Sequence, residues 1–152
     1  MKSRVLLSTI AVLALLAPTS TAVAAEPRVG EPFWNCVAAV DDPHQSHTDR
    51  SRVNVHADLK SCSQAMPSFT IDVNLYRDGE LVASGSQSGA NKFKARAVAN
   101  WAPPPNEWHT YTASADFTIT AGQETFETTV NSRARQVCIG ANCPPPDFLV
   151  HG

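Results

Sequence analysis

Charged residues and long hydrophobic runs are both scarce in this 152-residue sequence. Only 17% of the residues are charged, against 43% hydrophobic, so a long acidic or basic disordered tail is excluded. The Glu-, Lys- and Leu-rich composition of a coiled coil is also missing. The longest apolar run, residues 5–17, is too short to span a bilayer comfortably as a helix.

Catalytic signatures that can be read from a sequence are missing as well. Neither an H-E-x-x-H motif nor a glycine-rich phosphate loop occurs. Residues 85–89 (G-S-Q-S-G) resemble a nucleophile elbow, but Gln87 stands where the nucleophilic serine belongs. The only paired carboxylates are the adjacent Asp41 and Asp42, whose side chains diverge on an extended backbone. We therefore predict a protein that is not an enzyme and that has no cofactor.

The first 25 residues have the three parts of a secretory signal peptide. Lys2 and Arg4 form a basic start, residues 5–17 are apolar, and small residues at 22, 24 and 25 offer a cleavage site. We expect residues 1–25 to be removed and the protein to be secreted and extracellular. Subtracting Lys2 and Arg4 from 12 basic residues leaves 10 against 14 acidic ones, a net charge of −4. This balance argues against partners such as nucleic acid and anionic membranes.

Four cysteines lie in the remaining chain, and an even number in a secreted protein predicts two disulfides. Three pairings are possible, and we favour Cys36 with Cys62 and Cys138 with Cys143. The first pair would join neighbouring strand-like segments, and the second would close a short loop that contains Gly140. A zinc site is disfavoured because neither pair has C-x-x-C spacing.

Alternation of apolar and polar residues predicts an all-β fold. Strand-like segments occupy residues 33–40, 52–60, 69–76, 80–84, 92–101, 108–120, 125–132 and 135–139. Asp78 and Gly79 predict a tight hairpin turn, and residues 84–89 a flexible polar loop. We predict an immunoglobulin-like β-sandwich of seven or eight antiparallel strands over residues 33–143. Residues 26–32 and 144–152 are predicted to be an extended N-terminal tail and a C-terminal tail.

Residues 41–49 are the densest polar cluster. His44, His47 and Asp49 are weak candidate ligands for Zn²⁺ or Cu²⁺, because imidazole and carboxylate groups bind these ions. Asp-Pro and Ser also mark turns, so a purely structural loop is the favoured interpretation. His56 is predicted to face outward on its strand, where a histidine needs no special role.

Two other segments could contact a partner. Lys92, Lys94 and Arg96 are predicted to point outward from one strand, opposite inward-facing Phe93 and Trp101. This basic stripe fits an anionic polysaccharide or an acidic partner, or simply protection of an edge strand. Trp101 and Trp108 enclose three prolines, and they are either core residues or an exposed contact loop.

Short motifs resemble a group of small secreted proteins of actinobacteria. They are a P-H-x-S loop at residues 43–46, a V-x-V-x-A strand at 53–57 that leads to Cys62, and an L-Y-R-x-G hairpin at 75–79. These proteins are mostly uncharacterised β-sandwiches. The resemblance covers about the middle third of the chain and implies a β-sandwich, with an adaptor role in a secreted toxin particle as one possible function.

We predict a non-catalytic protein-interaction module of the kind that serves as an adaptor in an extracellular assembly, with a tail at residues 26–32 that could add a strand to a partner's sheet. A carbohydrate or cell-wall binding module that uses Trp101, Trp108 and the basic stripe is the alternative. A metalloprotein or enzyme centred on His44, His47 and Asp49 is a weaker one. The predicted partner is thus another extracellular protein or a cell-surface polysaccharide.

Overall fold

The structure is a computed structural model in which residues 30–145 are described. The predicted signal peptide and the stretches 26–29 and 146–152 of the two tails lie outside this range. Within residues 30–145, no helix has the length and apolar character needed to cross a membrane.

The described chain is built from strands, as the period-two alternation predicts. The strands are β1 (Glu31–Phe33), β2 (Cys36–Val40), β3 (His44–Gln45), β4 (Val53–Lys60), β5 (Ser68–Arg77), β6 (Glu80–Gly89), β7 (Ala95–Trp101), β8 (Trp108–Ala121), β9 (Glu124–Asn131) and β10 (Arg135–Cys138). Seven of these ten have five residues or more, and the other three are short edge segments.

The strands form two antiparallel sheets of five strands each. In sheet I, β4 is central: β7 pairs with one edge, while β2 and β3 pair with successive parts of the other, and β1 extends the sheet beyond β2. In sheet II, β5 lies between β6 and β8, and β9 and β10 share the far edge of β8. The predicted antiparallel sandwich is confirmed.

The core lies between the sheets and contains the apolar residues of each alternating strand. Most of the large, fully buried side chains come from β4 of sheet I and from β5 and β8 of sheet II, and Val40 of β2, Met66 and Val130 of β9 are the others. Each of these strands places its polar residues on the opposite, outer face, because successive side chains of a strand point to opposite sides. Tyr111 and Phe117 of β8 are the bulkiest of the fully buried side chains.

Both favoured disulfides are present. Cys36 at the start of β2 is joined to Cys62, just beyond the end of β4, and Cys138 at the end of β10 is joined to Cys143. The first bridge ties together two strands that already pair, as the sequence analysis predicts. The second closes a small loop beside the proline segment, where Asn106 donates its backbone N–H to the carbonyl oxygen of Ile139 at 2.6 Å.

The flexible loop predicted at residues 84–89 is wrong, because these residues form the second half of β6 and pair with β5. Gly85 lies so close to β7 that a Cβ atom on it would stand 1.9 Å from the Val98 carbonyl oxygen. A Cβ atom on Gly89 would stand 2.8 Å from the Phe69 ring. The glycines of this segment therefore provide close packing between strands, whereas their composition suggested a linker.

Two further expectations about sequence ranges need correction. Phe93 does not face inward: it is 61% exposed, because β7 begins only at Ala95 and the alternation does not extend back to residue 92. Glu31 and Pro32 are not part of a free tail, because they form β1 and pair with Ala38 and Val37 of β2. These two residues cannot add a strand to a partner while they pair within the molecule.

Candidate functional site

Asp41, His44 and His56 form a cluster at the edge of sheet I, which we call the histidine cluster. Asp41 follows β2, His44 begins β3, and His56 lies in the middle of β4. The backbone fixes their positions, because Asp41 donates its N–H to the His56 carbonyl oxygen at 3.0 Å and His44 pairs with Asn54 of β4. All three side chains are partly buried. The cluster is therefore mounted on paired strands and not on a free loop.

Asp41 is the centre of the histidine cluster. Its Oδ2 lies 2.7 Å from His56 Nδ1 and 3.9 Å from His44 Nδ1, and its Oδ1 accepts the His56 backbone N–H at 2.6 Å. The ring of His44 lies 5.6 Å from the ring of His56 and 5.6 Å from that of His47, measured between centroids. One ligand atom from each of Asp41, His44 and His56 lies within 4.8 Å of the others.

The residues of the predicted ligand set do not all lie together. His44 belongs to the histidine cluster and His47 lies beside it, but Asp49 does not contribute. Asp49 accepts hydrogen bonds from Ser51 and Arg52 within its own turn, and those from Ser51 are the main cause that lowers its pKa. The carboxylate comes instead from Asp41, and the second imidazole from His56.

Asp41 and Asp42 diverge, as their adjacency predicts. Asp42 points toward the β9–β10 connection, where Arg133 and Arg135 reach its Oδ2 at 2.9 and 2.8 Å. The Asp42 side chain is only 13% exposed, and burial would raise its pKa. Hydrogen bonds from Arg133 and Arg135 outweigh burial and hold the pKa of Asp42 below its usual value. Asp42 therefore links the two sheets, and Asp41 alone supplies a carboxylate to the cluster.

A second candidate region surrounds the start of β7. Phe93 lies beside a groove of about 520 Å³ that is also lined by Phe69 and the basic residues of the predicted stripe. An adjoining groove of about 530 Å³ shares residues 94–96 and adds Asp58 and Lys60. We call this region the Phe93 groove. It brings a large exposed apolar ring next to two lysines and an arginine.

The three basic residues of the predicted stripe differ in their surroundings. Arg96 pairs with Asp58 of β4 through two hydrogen bonds of 2.6 and 3.0 Å, and these bonds raise the pKa of Arg96 above its usual value. Within residues 30–145, neither Lys92 nor Lys94 has a salt-bridge partner. Both lysines precede β7, so they flank this strand and do not line its edge.

Trp101 and Trp108 end up in different surroundings. Trp101 closes β7 and packs partly buried against the core. Trp108 opens β8 in the other sheet, is 37% exposed, and donates its Nε1–H to the Pro144 carbonyl oxygen at 2.6 Å. The prolines between them carry the chain from sheet I to sheet II. Trp108 is the more exposed of the two, and its polar edge is already engaged.

The fold and its two candidate regions define a small, disulfide-bonded β-sandwich domain. No family model and no curated protein matches the sequence. Among solved structures, a protein from Archaeoglobus fulgidus is similar at 12% identity with a TM-score of 0.42, over 68% of this chain and 97% of that one. The CARDB domain of a Pyrococcus furiosus protein, in complex with di-metal ions, is similar at 14% identity with a TM-score of 0.31, over 67% and 97%.

Proposed function

We propose that this protein is a secreted, non-catalytic interaction module, and that it binds an acidic segment of another extracellular protein at the Phe93 groove. The observation that carries the proposal is the exposure of Phe93, which is 61%, directly beside Lys92 and Lys94. Aromatic residues are frequent anchors of protein interfaces, and here the exposed ring stands next to two lysines beside a groove.

Charge supports an acidic partner. Residues 26–152 have a net charge of −4, so the overall charge of this chain does not by itself favour an acidic partner. Lys92 and Lys94 form a local exception, and neither is neutralised by a neighbour within the described residues. Such a pair guides an acidic segment to one place and raises the association rate more than the affinity. Phe93 then supplies the apolar contact that slows dissociation.

Protection of an edge strand explains the lysines less well. The outer edge of β7 is covered at Val98 by the close approach of Gly85 in β6. Arg96 is the stripe residue that lies within β7, and it pairs with Asp58 of the neighbouring strand. Lys92 and Lys94 stand outside the strand and are left for contacts with other molecules. An adaptor that joins two components of an extracellular assembly would use a surface of this kind.

The test is a site-specific crosslink in the culture fluid of the producing organism. A photoreactive phenylalanine replaces Phe93 in the full-length secreted protein, and a matched variant carries it at Leu81, which is 53% exposed and lies outside the groove. We expect position 93, and not 81, to crosslink to one discrete protein, which mass spectrometry identifies. In gel filtration the wild-type protein should co-elute with this partner. Phe93→Ala and the double change Lys92→Glu, Lys94→Glu should each abolish the co-elution, and Leu81→Ala should preserve it. Equal crosslinking from both positions, or none from 93, would refute the proposal.

A polysaccharide is the second candidate ligand, since Gln87 and Asn91 line the groove together with Phe93. Sugars stack on aromatic rings and hydrogen-bond to amide side chains, and anionic sugars would also attract the lysines. This ligand is favoured over a protein if the wild type in the same samples is retained on cell-wall or acidic polysaccharide matrices. Phe93→Ala should then remove the retention, and Trp108→Ala should not.

A further inference from the structure

We propose that the histidine cluster binds one divalent transition-metal ion of the Zn²⁺ or Cu²⁺ type, through Asp41, His44 and His56, with His47 as a fourth ligand. The site is separate from the Phe93 groove and does not depend on the function proposed for it. Within residues 30–145, it is the one place where three or more potential metal-ligating side chains converge.

The geometry fits an ion with only small adjustments. The three potential ligand atoms already lie within 4.8 Å of one another, and ligand atoms around a zinc ion at about 2 Å are separated by roughly 3–4 Å. Two of them, Asp41 Oδ2 and His56 Nδ1, are 2.7 Å apart. His47 is exposed on the adjoining turn with its ring 5.6 Å from that of His44, so it can turn toward the ion.

Neighbouring groups hold the ligands as metal sites require. The second carboxylate oxygen of Asp41 is fixed by the His56 backbone N–H at 2.6 Å, which orients Oδ2 toward the imidazoles. When Nδ1 of His56 binds the ion, Nε2 carries the proton, and the side-chain amide of Asn54, whose Nδ2 lies 3.2 Å from Nε2, can turn so that its Oδ1 accepts that proton. Partners of this kind orient metal ligands in known sites. Asn54 is buried and its Oδ1 lacks a partner among the described residues, so this hydrogen bond would also satisfy that oxygen.

The chemistry of the ligands selects the class of ion. Imidazole nitrogens favour Zn²⁺, Cu²⁺ and Ni²⁺, whereas Ca²⁺ and Mg²⁺ prefer sets of oxygen ligands. One carboxylate with two or three neutral imidazoles leaves a bound divalent ion with a net charge of +1. Asp42 does not compete for the ion, because Arg133 and Arg135 occupy its oxygens. All three ligand side chains are partly exposed, so an ion can reach them from solvent.

The same chain contains a matched control. His109 Nδ1 lies 2.7 Å from Asp78 Oδ2, the same distance as His56 from Asp41. A second carboxylate, Glu107, lies 3.3 Å from the opposite nitrogen of His109, so the two carboxylates do not converge on one point. His109 therefore has the histidine–aspartate pair without the cluster.

The test is a titration of the folded, dialysed protein with Zn²⁺ by calorimetry, and with Cu²⁺ followed by electron paramagnetic resonance. We expect one ion per chain and nitrogen couplings from two or three imidazoles. His44→Gln and His56→Gln should each weaken binding by at least about tenfold. His109→Gln and Phe93→Ala should leave it within about twofold, since neither lies in the cluster.

Circular dichroism separates loss of a ligand from loss of the fold. His44→Gln is the safer variant, because the hydrogen bond of the His44 side chain within residues 30–145 goes to the nearby Asp42 carbonyl oxygen, so the circular dichroism of this variant should match that of the wild type. Asp41→Asn keeps the acceptor for the His56 N–H and should still weaken binding. The proposal is overturned if the wild type shows no saturable binding. It is also overturned if His44→Gln binds the ion as tightly as the wild type, or if His109→Gln weakens binding as much as His44→Gln does.

Discussion

Replacement of Gly85 by alanine tests whether β6 packs against β7 as closely as the structure has it. The added Cβ atom would lie 1.9 Å from the Val98 carbonyl oxygen and 2.7 Å from its carbon. Real Cβ atoms do not approach such atoms within 3.0 Å, so the two strands must separate by about 1.1 Å. Neither contact atom belongs to a flexible side chain, so the backbones themselves must move.

Overpacking of this kind costs about 1–3 kcal/mol, and a clash with backbone atoms places Gly85→Ala at the upper end, about 3 kcal/mol. For a domain of this size about 4 °C of melting temperature is lost per kcal/mol, so we expect a decrease of about 12 °C. The control is Gly30→Ala, whose added Cβ atom would find its nearest neighbour at 3.5 Å, an ordinary contact. We expect that variant to change stability by no more than about 0.5 kcal/mol.

The stability of both glycine variants is measured by calorimetry or urea unfolding with both disulfides intact. A Gly85→Ala protein that melts within about 2 °C of the wild type would show that β6 does not approach β7 at this position. That result would also favour the interpretation of residues 84–89 as a flexible loop, which would leave the edge of β7 uncovered.

The remaining predictions concern Asp42 and the disulfides. Asp42→Asn should lower the free energy of unfolding by about 2 kcal/mol at pH 7, because it removes a carboxylate that accepts charged hydrogen bonds from Arg133 and Arg135. The pKa of Asp42 is lowered in the folded state, so the loss of stability in Asp42→Asn should be complete above about pH 4 and should disappear as the pH falls through the lowered pKa. A series of urea unfolding curves in which this loss does not depend on pH would contradict the argument. Replacing Cys36 and Cys62 by serine should cost about 3.5 kcal/mol and replacing Cys138 and Cys143 about 2, because the loops they close span 26 and 5 residues. Equal losses in the two double variants, measured by urea unfolding, would show that loop length does not set the cost.

The fold was predictable because its strands obey a simple rule. In β4, β5 and β8, apolar residues recur at every second position and are buried in the structure, with Asn54 of β4 as a buried polar exception and Trp108 out of phase at the start of β8. The hairpin turn at Asp78 and Gly79 also follows from local chemistry, because both residues adopt positive φ angles. Each of these features depends on neighbours in the sequence, which is the information that a sequence contains directly.

The second half of β6 was not predictable in this way. Residues 84–89 consist of serine, glycine and glutamine, a composition shared by flexible linkers and by strands that must let another backbone approach. The difference depends on Val98 and Phe69, which lie far away in the chain. Nothing local to the segment distinguishes the two cases.

The histidine cluster could be predicted only in part, because it also depends on residues that are distant in the sequence. The short spacing between His44 and His47 is visible in the sequence, but their partners are chosen by strand pairing. β3 pairs with β4 and so brings His44 toward His56, while Asp49 is used to cap its own turn. The two cluster residues that the sequence analysis did not select are His56 and Asp41. His56 could have been found from the predicted outward face of β4, and Asp41 from the expectation that Asp41 and Asp42 point in different directions.

The outer faces of the two sheets differ in the polar groups that they present. On sheet II the outward side chains are largely serine, threonine and amide groups that bond to one another across strands, as Thr70 does with Ser88 at 3.2 Å and Ser84 with Asn74 at 2.7 Å. Polar groups that already satisfy each other gain little from a new partner. Sheet I instead carries imidazoles and a carboxylate suited to an ion, and the start of β7 adds an exposed ring and two lysines without salt bridges. The proposed metal site therefore belongs to sheet I, whereas the Phe93 groove lies where the start of β7 meets Phe69 and Gln87 of sheet II.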